Sequence, residues 1–213
     1  MAYVLGFFAA DGTMIRNKRG GHFIEFHIND KEILIAIRKA TGSNHKISVR
    51  IGKNPRQKVG YRIQFGSKEM YNDLLALGMC PRKSLALRMP AVPTKYFGDF
   101  VRGYFDGDGC VYYSKLKFAD RKNPRKILMT MFTSGCKDFL SALHSSLKQY
   151  GIQGGSLHGK GKAGGFDLSF SFRDSLALYQ LMYNTGPDTG FHLPRKYKIF
   201  QKAIRNLYPE MRV

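Results

Sequence analysis

The sequence predicts an α+β protein built from two copies of one unit, and three observations carry that reading. The stretch Tyr3-Val-Leu-Gly-Phe-Phe-Ala-Ala-Asp-Gly12 returns as Phe100-Val-Arg-Gly-Tyr-Phe-Asp-Gly-Asp-Gly109. After each copy the same order of alternating and helix-periodic segments follows. Each half then closes on the same tail, Pro81-Arg82-Lys83 in the first and Pro194-Arg195-Lys196 in the second. The second copy is longer, so it has gained residues in its loops. Met89-Pro-Ala-Val-Pro93 is the natural linker, which draws the halves at 1–93 and 94–213.

Each repeated stretch is expected to be a helix. A small residue recurs four places on, Gly6 and Ala10 in one copy and Gly103 and Gly107 in the other, leaving a flat stripe where another backbone can approach. Two such helices can pack side by side through these stripes. Both stretches end in an acid followed by glycine, the usual helix stop. The packing therefore brings Asp11 and Asp108 together, and two carboxylates that repel each other form a site for a hard divalent cation such as Mg2+.

The elements between the signatures read in order. Thr13 to Asn17, a Lys18-Arg19-Gly20-Gly21 turn and Phe23 to Ile28 form a hairpin, with Ile24, Phe26 and Ile28 alternating with Glu25 and His27. A helix runs from an Asn29-Asp30 cap to Thr41, with Gly42 as its stop. Strands follow at Lys46–Ile51, with Ile47, Val49 and Ile51 inward, and at Tyr61–Phe65. Ser67 caps a helix that ends at Gly78 and offers Leu74, Leu75 and Leu77 to the core. In the second half, strands at Val111–Leu116 and Ile127–Thr133 flank a basic turn. A helix from about Cys136 to Tyr150, a Gly- and Lys-rich turn around Gly154 to Gly165, and a strand with Phe166, Leu168, Phe170 and Phe172 on one face come next. Asp174 then caps a helix that Gly186 closes.

Composition narrows the partners. Hydrophobic residues at 43% with 13% aromatic exclude wholesale disorder. In 213 residues, 35 Lys and Arg against 15 Asp and Glu give a net charge of +20, which calls for a polyanion. Nucleic acid fits better than a membrane surface, because the basic residues run through the whole chain without a long amphipathic basic helix or an apolar span. Three widely spaced cysteines, Cys80, Cys110 and Cys136, argue against a disulfide framework or a zinc site and for a reducing, intracellular compartment. The apolar run Val4 to Ala10 lacks a basic leader and stops at Asp11, so it is not read as a signal peptide.

Polar strand faces and basic turns give the expected duplex-contacting surface, since a two-stranded ribbon fits the DNA major groove. In the first half these are Arg16, Lys18 and Arg19 at the hairpin, then Glu25 and His27. Lys46, Ser48, Arg50, Arg62 and Gln64 stand on the next strand pair, with Lys53, Arg56 and Lys58 in its loop. The second half offers Lys115 and Lys117, the turn residues Arg121, Lys122 and Arg125, and Lys160 and Lys162. Asp167, Ser169 and Ser171 alternate with the phenylalanines of the last strand. Strands would supply base contacts and loops phosphate contacts. Histidines such as His27 and His144 read as surface or core residues, not as bases.

The two signatures, Val4–Gly12 and Val101–Gly109, resemble the nine-residue motif of the LAGLIDADG homing endonucleases, and the resemblance covers essentially the whole chain. It implies two α-β-β-α-β-β-α halves packed through the signature helices, whose sheets form a DNA-gripping saddle. It also implies a monomer with internal pseudo-twofold symmetry that cuts both strands of a long asymmetric duplex target. Asp11 and Asp108 fall on the family's metal-binding acid, with Ala10 and Gly107 beside them in the metal site, and Mg2+ is the implied ion, with Mn2+ or Ca2+ as substitutes. Copy one departs from the motif where Ala9 replaces the earlier acid, retained as Asp106, which is not the family's metal ligand. Lys83 and Lys196 are candidates for the lysine found near each acid in the family; the alternative is that Pro-Arg-Lys only caps a helix and touches phosphate. A function from another class, a non-catalytic binder such as an intron RNA maturase or a DNA-binding regulator, uses the same scaffold. Retention of both acids favours the enzyme.

Overall fold

The computed structural model describes residues 1–52, 58–81, 86–117, 119, 122–184 and 191–207. The chain divides into two compact units, Met1–Gly107 with Asp188–His192, and Asp108–Pro187 with Leu193–Val213. Sequence repeat and packing thus draw different lines, because the second signature helix packs with the first.

The first unit opens with helix α1 (Ala2–Asp11), which is apolar on nearly every side and correspondingly buried at Tyr3, Val4, Phe7 and Phe8. Strands β1 (Gly12–Arg16) and β2 (His22–Ile28) make the expected hairpin. Asn17 closes its turn by accepting from the Arg19 and Gly21 N–H groups, and Gly20 supplies the positive φ of 81°. Helix α2 (Lys31–Ala40) buries Ile33, Leu34 and Ile37. Strands β3 (Ser48–Arg50) and β4 (Gly60–Gly66) complete a four-stranded antiparallel sheet in the order β1-β2-β4-β3. Helix α3 (Lys68–Ala76) starts on Ser67, whose hydroxyl accepts from Met70 N–H at 3.1 Å. It ends on Gly78 at φ 84°, with Met79 N–H reaching back to the Leu74 carbonyl. A short 3-10 turn leads into the second signature helix, α4 (Phe97–Asp108).

The second unit repeats the arrangement. Strands β5 (Gly109–Leu116) and β6 (Arg125–Ser134), helix α5 (Lys137–Lys148), strands β7 (Ser156–Gly159) and β8 (Phe166–Phe170) and helix α6 (Phe172–Tyr183) follow in turn. The sheet order β5-β6-β8-β7 is that of the first sheet moved along by one copy. Helix α5 buries Phe139, Leu140, Leu143 and Leu147, a helical spacing that covers one sheet face. A last helix, α7 (Pro194–Leu207), lies against β5 and buries Phe200, Ala203 and Ile204. Tyr179, Tyr183, Tyr197 and Phe200 join α6 to α7, with centroids 4.9 to 6.1 Å apart.

The structure corrects several expectations. Strand β3 is shorter than Lys46–Ile51, and its apolar residues are not core: Val49 is 58% and Ile51 82% exposed, because an edge strand of three residues lies beyond the helices' cover. Of the α3 leucines only Leu74 is buried, while Leu75 and Leu77 face outward. The turn expected around Gly154 to Gly165 contains β7, paired to β8 from Ser156 to Gly159. Phe172 begins α6 instead of extending β8, and Ser171 takes the N-cap position foreseen for Asp174. Asp174 accepts from Gly154 N–H at 3.0 Å instead, tying α6 to the loop before β7.

Candidate active site

Within the first unit the two signature helices touch backbone to backbone. A Cβ on Gly6 would collide with the Phe100 carbonyl oxygen and come within 2.9 Å of Tyr104 N; one on Gly103 would collide with the Tyr3 carbonyl oxygen and come within 2.8 Å of Phe7 N. These are the same contacts seen from each copy, since Tyr3 corresponds to Phe100 and Phe7 to Tyr104. Only glycine leaves room, as the small-residue stripes predict. One turn on, Gly107 lies against the Ala10 side chain, and its missing Cβ clears a space 3.3 Å from Asp11 Oδ2. All four stripe residues therefore lie where the two helices meet, and the residue before Asp108 packs beside the Asp11 carboxylate.

The helix pair also carries a polar cluster that the repeat alone did not reveal. Tyr3 donates its hydroxyl to Asp106 Oδ2 at 2.8 Å, deep in the interface, where Asp106 is fully buried. Arg102, 2% exposed, pairs with Asp99 at 2.6 Å, donates from Nε to the Phe191 carbonyl at 2.8 Å and stands over the Tyr3 ring. Burial, and then the Arg102 charge, hold the His192 imidazole below its usual pKa. A signal existed in the sequence: Tyr3 and Asp106 are two positions where one copy is polar and the other, at Phe100 and Ala9, is not.

In the second unit, Lys196 is 5% exposed and donates from Nζ to the Gly109 carbonyl at 2.6 Å. Its ammonium thus meets the peptide that follows Asp108. Lys83, like Lys53, Arg56 and Arg121, lies outside the described residues. Among the described residues no group of three or more His, Cys, Asp or Glu could hold a metal. A carboxylate is a fitting donor for a hard cation such as Mg2+, which binds through one or two carboxylates and draws its remaining oxygens from water and phosphate. In the first unit Asp11 is partly exposed at the C-terminus of α1, and the space left by Gly107 lies beside it; in the second, Asp108 is partly exposed at the C-terminus of α4. An apolar cavity of about 510 Å³ in the first unit, lined by Leu5, Phe8, Phe26 and Met70 among others, includes neither Asp11 nor Gly107 and plays no part in this site.

The first sheet turns its polar face away from the core. Thr13, Glu25 and Gln64 stand in one row and His27, Arg62 and Ser48 in the next, with Arg50 beyond. Glu25 binds Arg62 at 3.3 Å and accepts from Gln64 at 3.1 Å, which fixes both side chains on the open surface. Arg16, Lys18, Arg19, Lys46 and Lys58 are exposed. The second sheet differs. Lys115 shares a face with the buried Val111 and faces Lys126 across the strand pair. Lys126 donates to the Asn206 carbonyl. Asp167 lies on the face opposite the buried Leu168, 7% exposed, where its cross-strand neighbour Thr133 donates to it at 2.6 Å and Lys160 pairs with it. Lys117, Lys122, Arg125 and Lys162 are exposed, Ser169 is half-buried, and Ser171 stands at the N-cap position of α6 without a side-chain cap bond.

Two glycine-striped helices that end in acids, followed by four-stranded antiparallel sheets of one topology, define the LAGLIDADG homing endonuclease fold. Residues 1–76 match the family model described as a LAGLIDADG-like domain. I-LtrWI, a LAGLIDADG homing endonuclease bound to target DNA, is similar at 13% identity over 99% of this chain and 90% of that one, with a TM-score of 0.62. I-SmaMI bound to cleaved DNA is similar at 11% identity over 98% and 90%, with a TM-score of 0.63. I-SmaMI on an uncleaved target with calcium ions gives 11% identity over 98% and 92%, with a TM-score of 0.61. No curated protein matches the chain in sequence. The resemblance read from the two signatures thus holds as a fold along the whole chain. No helix among the described residues is long and apolar enough to cross a membrane.

Proposed function

We propose that the chain is a site-specific DNA endonuclease that makes a metal-dependent double-strand break in a long, asymmetric duplex. The observation that carries this reading is the glycine contact between the signature helices with an acid kept at the end of each, Asp11 and Asp108. A pure binder has no use for carboxylates next to a polyanion. The net charge of +20 and the solved relatives bound to DNA support duplex DNA as the partner. Homing, the activity in those relatives' names, would be its setting.

Asp11 and Asp108 would hold divalent ions. Bound there, an ion supplies an activated water and neutralises charge on the scissile phosphate. The chain's own contribution is positional. Gly6 and Gly103 set the helix spacing, Gly107 keeps space beside Asp11, and Lys196 anchors the carbonyl just past Asp108, fixing the direction in which that acid leaves its helix. Basic loop residues such as Lys18 and Lys58 would take phosphates, and the polar strand faces would read bases.

The test incubates the full chain with a randomised duplex library, with Mg2+ and with chelator, and sequences the ends. Metal-dependent ends at one sequence support the endonuclease; enrichment of bound sequences without ends supports a maturase or regulator in its place.

A further inference from the structure

The open faces of the two sheets have unlike chemistry. On the first, the central rows carry Glu25, Arg62, Gln64, His27 and Arg50. On the second, the register sets Cys110 against Met131, Tyr112 against Met129, Ser114 against Ile127 and Leu116 against Arg125. These residues face away from Val111, Leu128, Thr130 and Phe132, which are buried. Tyr112 at 43%, Met129 at 37% and Leu116 at 37% are exposed; Arg125, at the strand's end, is the one charged residue that β5 and β6 put on this face, and Asp167 of β8, paired with Lys160, stands on it farther along. Exposed contiguous apolar surface marks a recognition site.

We infer that β5 and β6 recognise a thymine-rich half-site through the 5-methyl groups in the major groove, whereas β2 and β4 recognise theirs through hydrogen bonds. This rests on the DNA-binding reading above. Of the base edges in the major groove, only thymine offers a methyl, and apolar side chains on a two-stranded ribbon are its complement. Met, Ile and Tyr surfaces have no donor fork for guanine, so they gain little at G·C pairs. Charge supports DNA over a protein partner as the occupant, because the turn end of the apolar strip carries the exposed Lys117, Lys122 and Arg125, which suit phosphates. On the first sheet, Glu25 holds Arg62 and Gln64 in fixed positions, which suits purine edges: arginine for guanine and glutamine for adenine.

Duplexes bound by the full chain without divalent metal are selected from a random library, and the winners are remade with deoxyuridine in place of thymidine in one half at a time. This removes methyls and leaves every hydrogen bond. The expected result is an A·T-enriched half that loses roughly fourfold in affinity for each contacted methyl, and another half that is indifferent. Met129→Ser should abolish that discrimination at its base step while Met129→Leu keeps it. Selective binding with equal tolerance of deoxyuridine in both halves overturns this inference and spares the DNA-binding reading. Absence of any enriched sequence overturns both.

Discussion

Tyr3 and Asp106 show how one hydrogen bond accounts for two sequence asymmetries. In the pseudo-symmetric position the pair is Phe100 and Ala9, which needs no bond, so the polar partners are kept together or lost together. Removing one of them strands the other in a buried interface, at about 1–3 kcal/mol. Tyr3→Phe and Asp106→Ala should each lower stability by that order, and the double variant should cost clearly less than their sum, as urea unfolding will measure. Strict additivity would mean the bond contributes nothing. His192 gives a second residue-scale outcome. Its folded pKa lies below the ordinary 6.5, so below that pH the unfolded chain binds a proton that the folded chain does not. Stability should therefore fall as pH drops from 6.5 through the folded value and be regained above it. His192→Gln should flatten the denaturation midpoint over this window; an unchanged slope would assign the dependence to other groups.

At the scale of elements, the signature helices depend on backbone contact, and Gly103→Leu has no place for its side chain against the Tyr3 carbonyl. It should cost about 1–3 kcal/mol or more by forcing the helices apart. Cleavage should fall with it, because the ends of the helices carry the acids. A variant that melts and cuts like the parent would refute the arrangement. These helices were legible in the sequence because glycine spacing is a local pattern with a single steric meaning, and it appears twice. Strand β7 was not legible, since Gly154 and Gly155 and the lysines around them look like a turn, and only pairing with β8 makes Ser156–Gly159 a strand. The fate of Val49 and Ile51 was hidden for the converse reason: alternation marks a strand but cannot say that no helix covers its edge. Helix α7 had a visible signal, Lys196, Phe200, Ala203 and Ile204 at helical spacing, and Pro194-Arg195-Lys196, read as a tail, is its first turn. Asp167 stands where strand parity puts it, opposite Leu168, but its low exposure comes with Thr133 across the strand pair and with Lys160, and the sequence alone does not show those partners.

At the scale of the whole molecule, duplication assigns one acid to each copy, and a duplex offers two strands to cut. Asp11 ends α1, and Asp108 ends α4 at the point where the second unit begins. Asparagine at either position keeps size and hydrogen bonding but removes the charge that would hold a cation in the proposed mechanism, so folding and binding should survive. On a proposed half-site each, the acids serve different phosphates, although an ion shared between them would couple their losses. Asp11→Asn and Asp108→Asn should therefore each abolish double-strand cleavage and leave at most slow nicking. Binding should be unchanged or tighter, because a carboxylate facing phosphate is relieved. The double variant should perform no hydrolysis. Gel analysis of a supercoiled plasmid carrying the selected site separates these species, since nicked circles and linear product migrate apart. Linear product formed by the double variant at the parental rate would put the chemistry elsewhere in the chain.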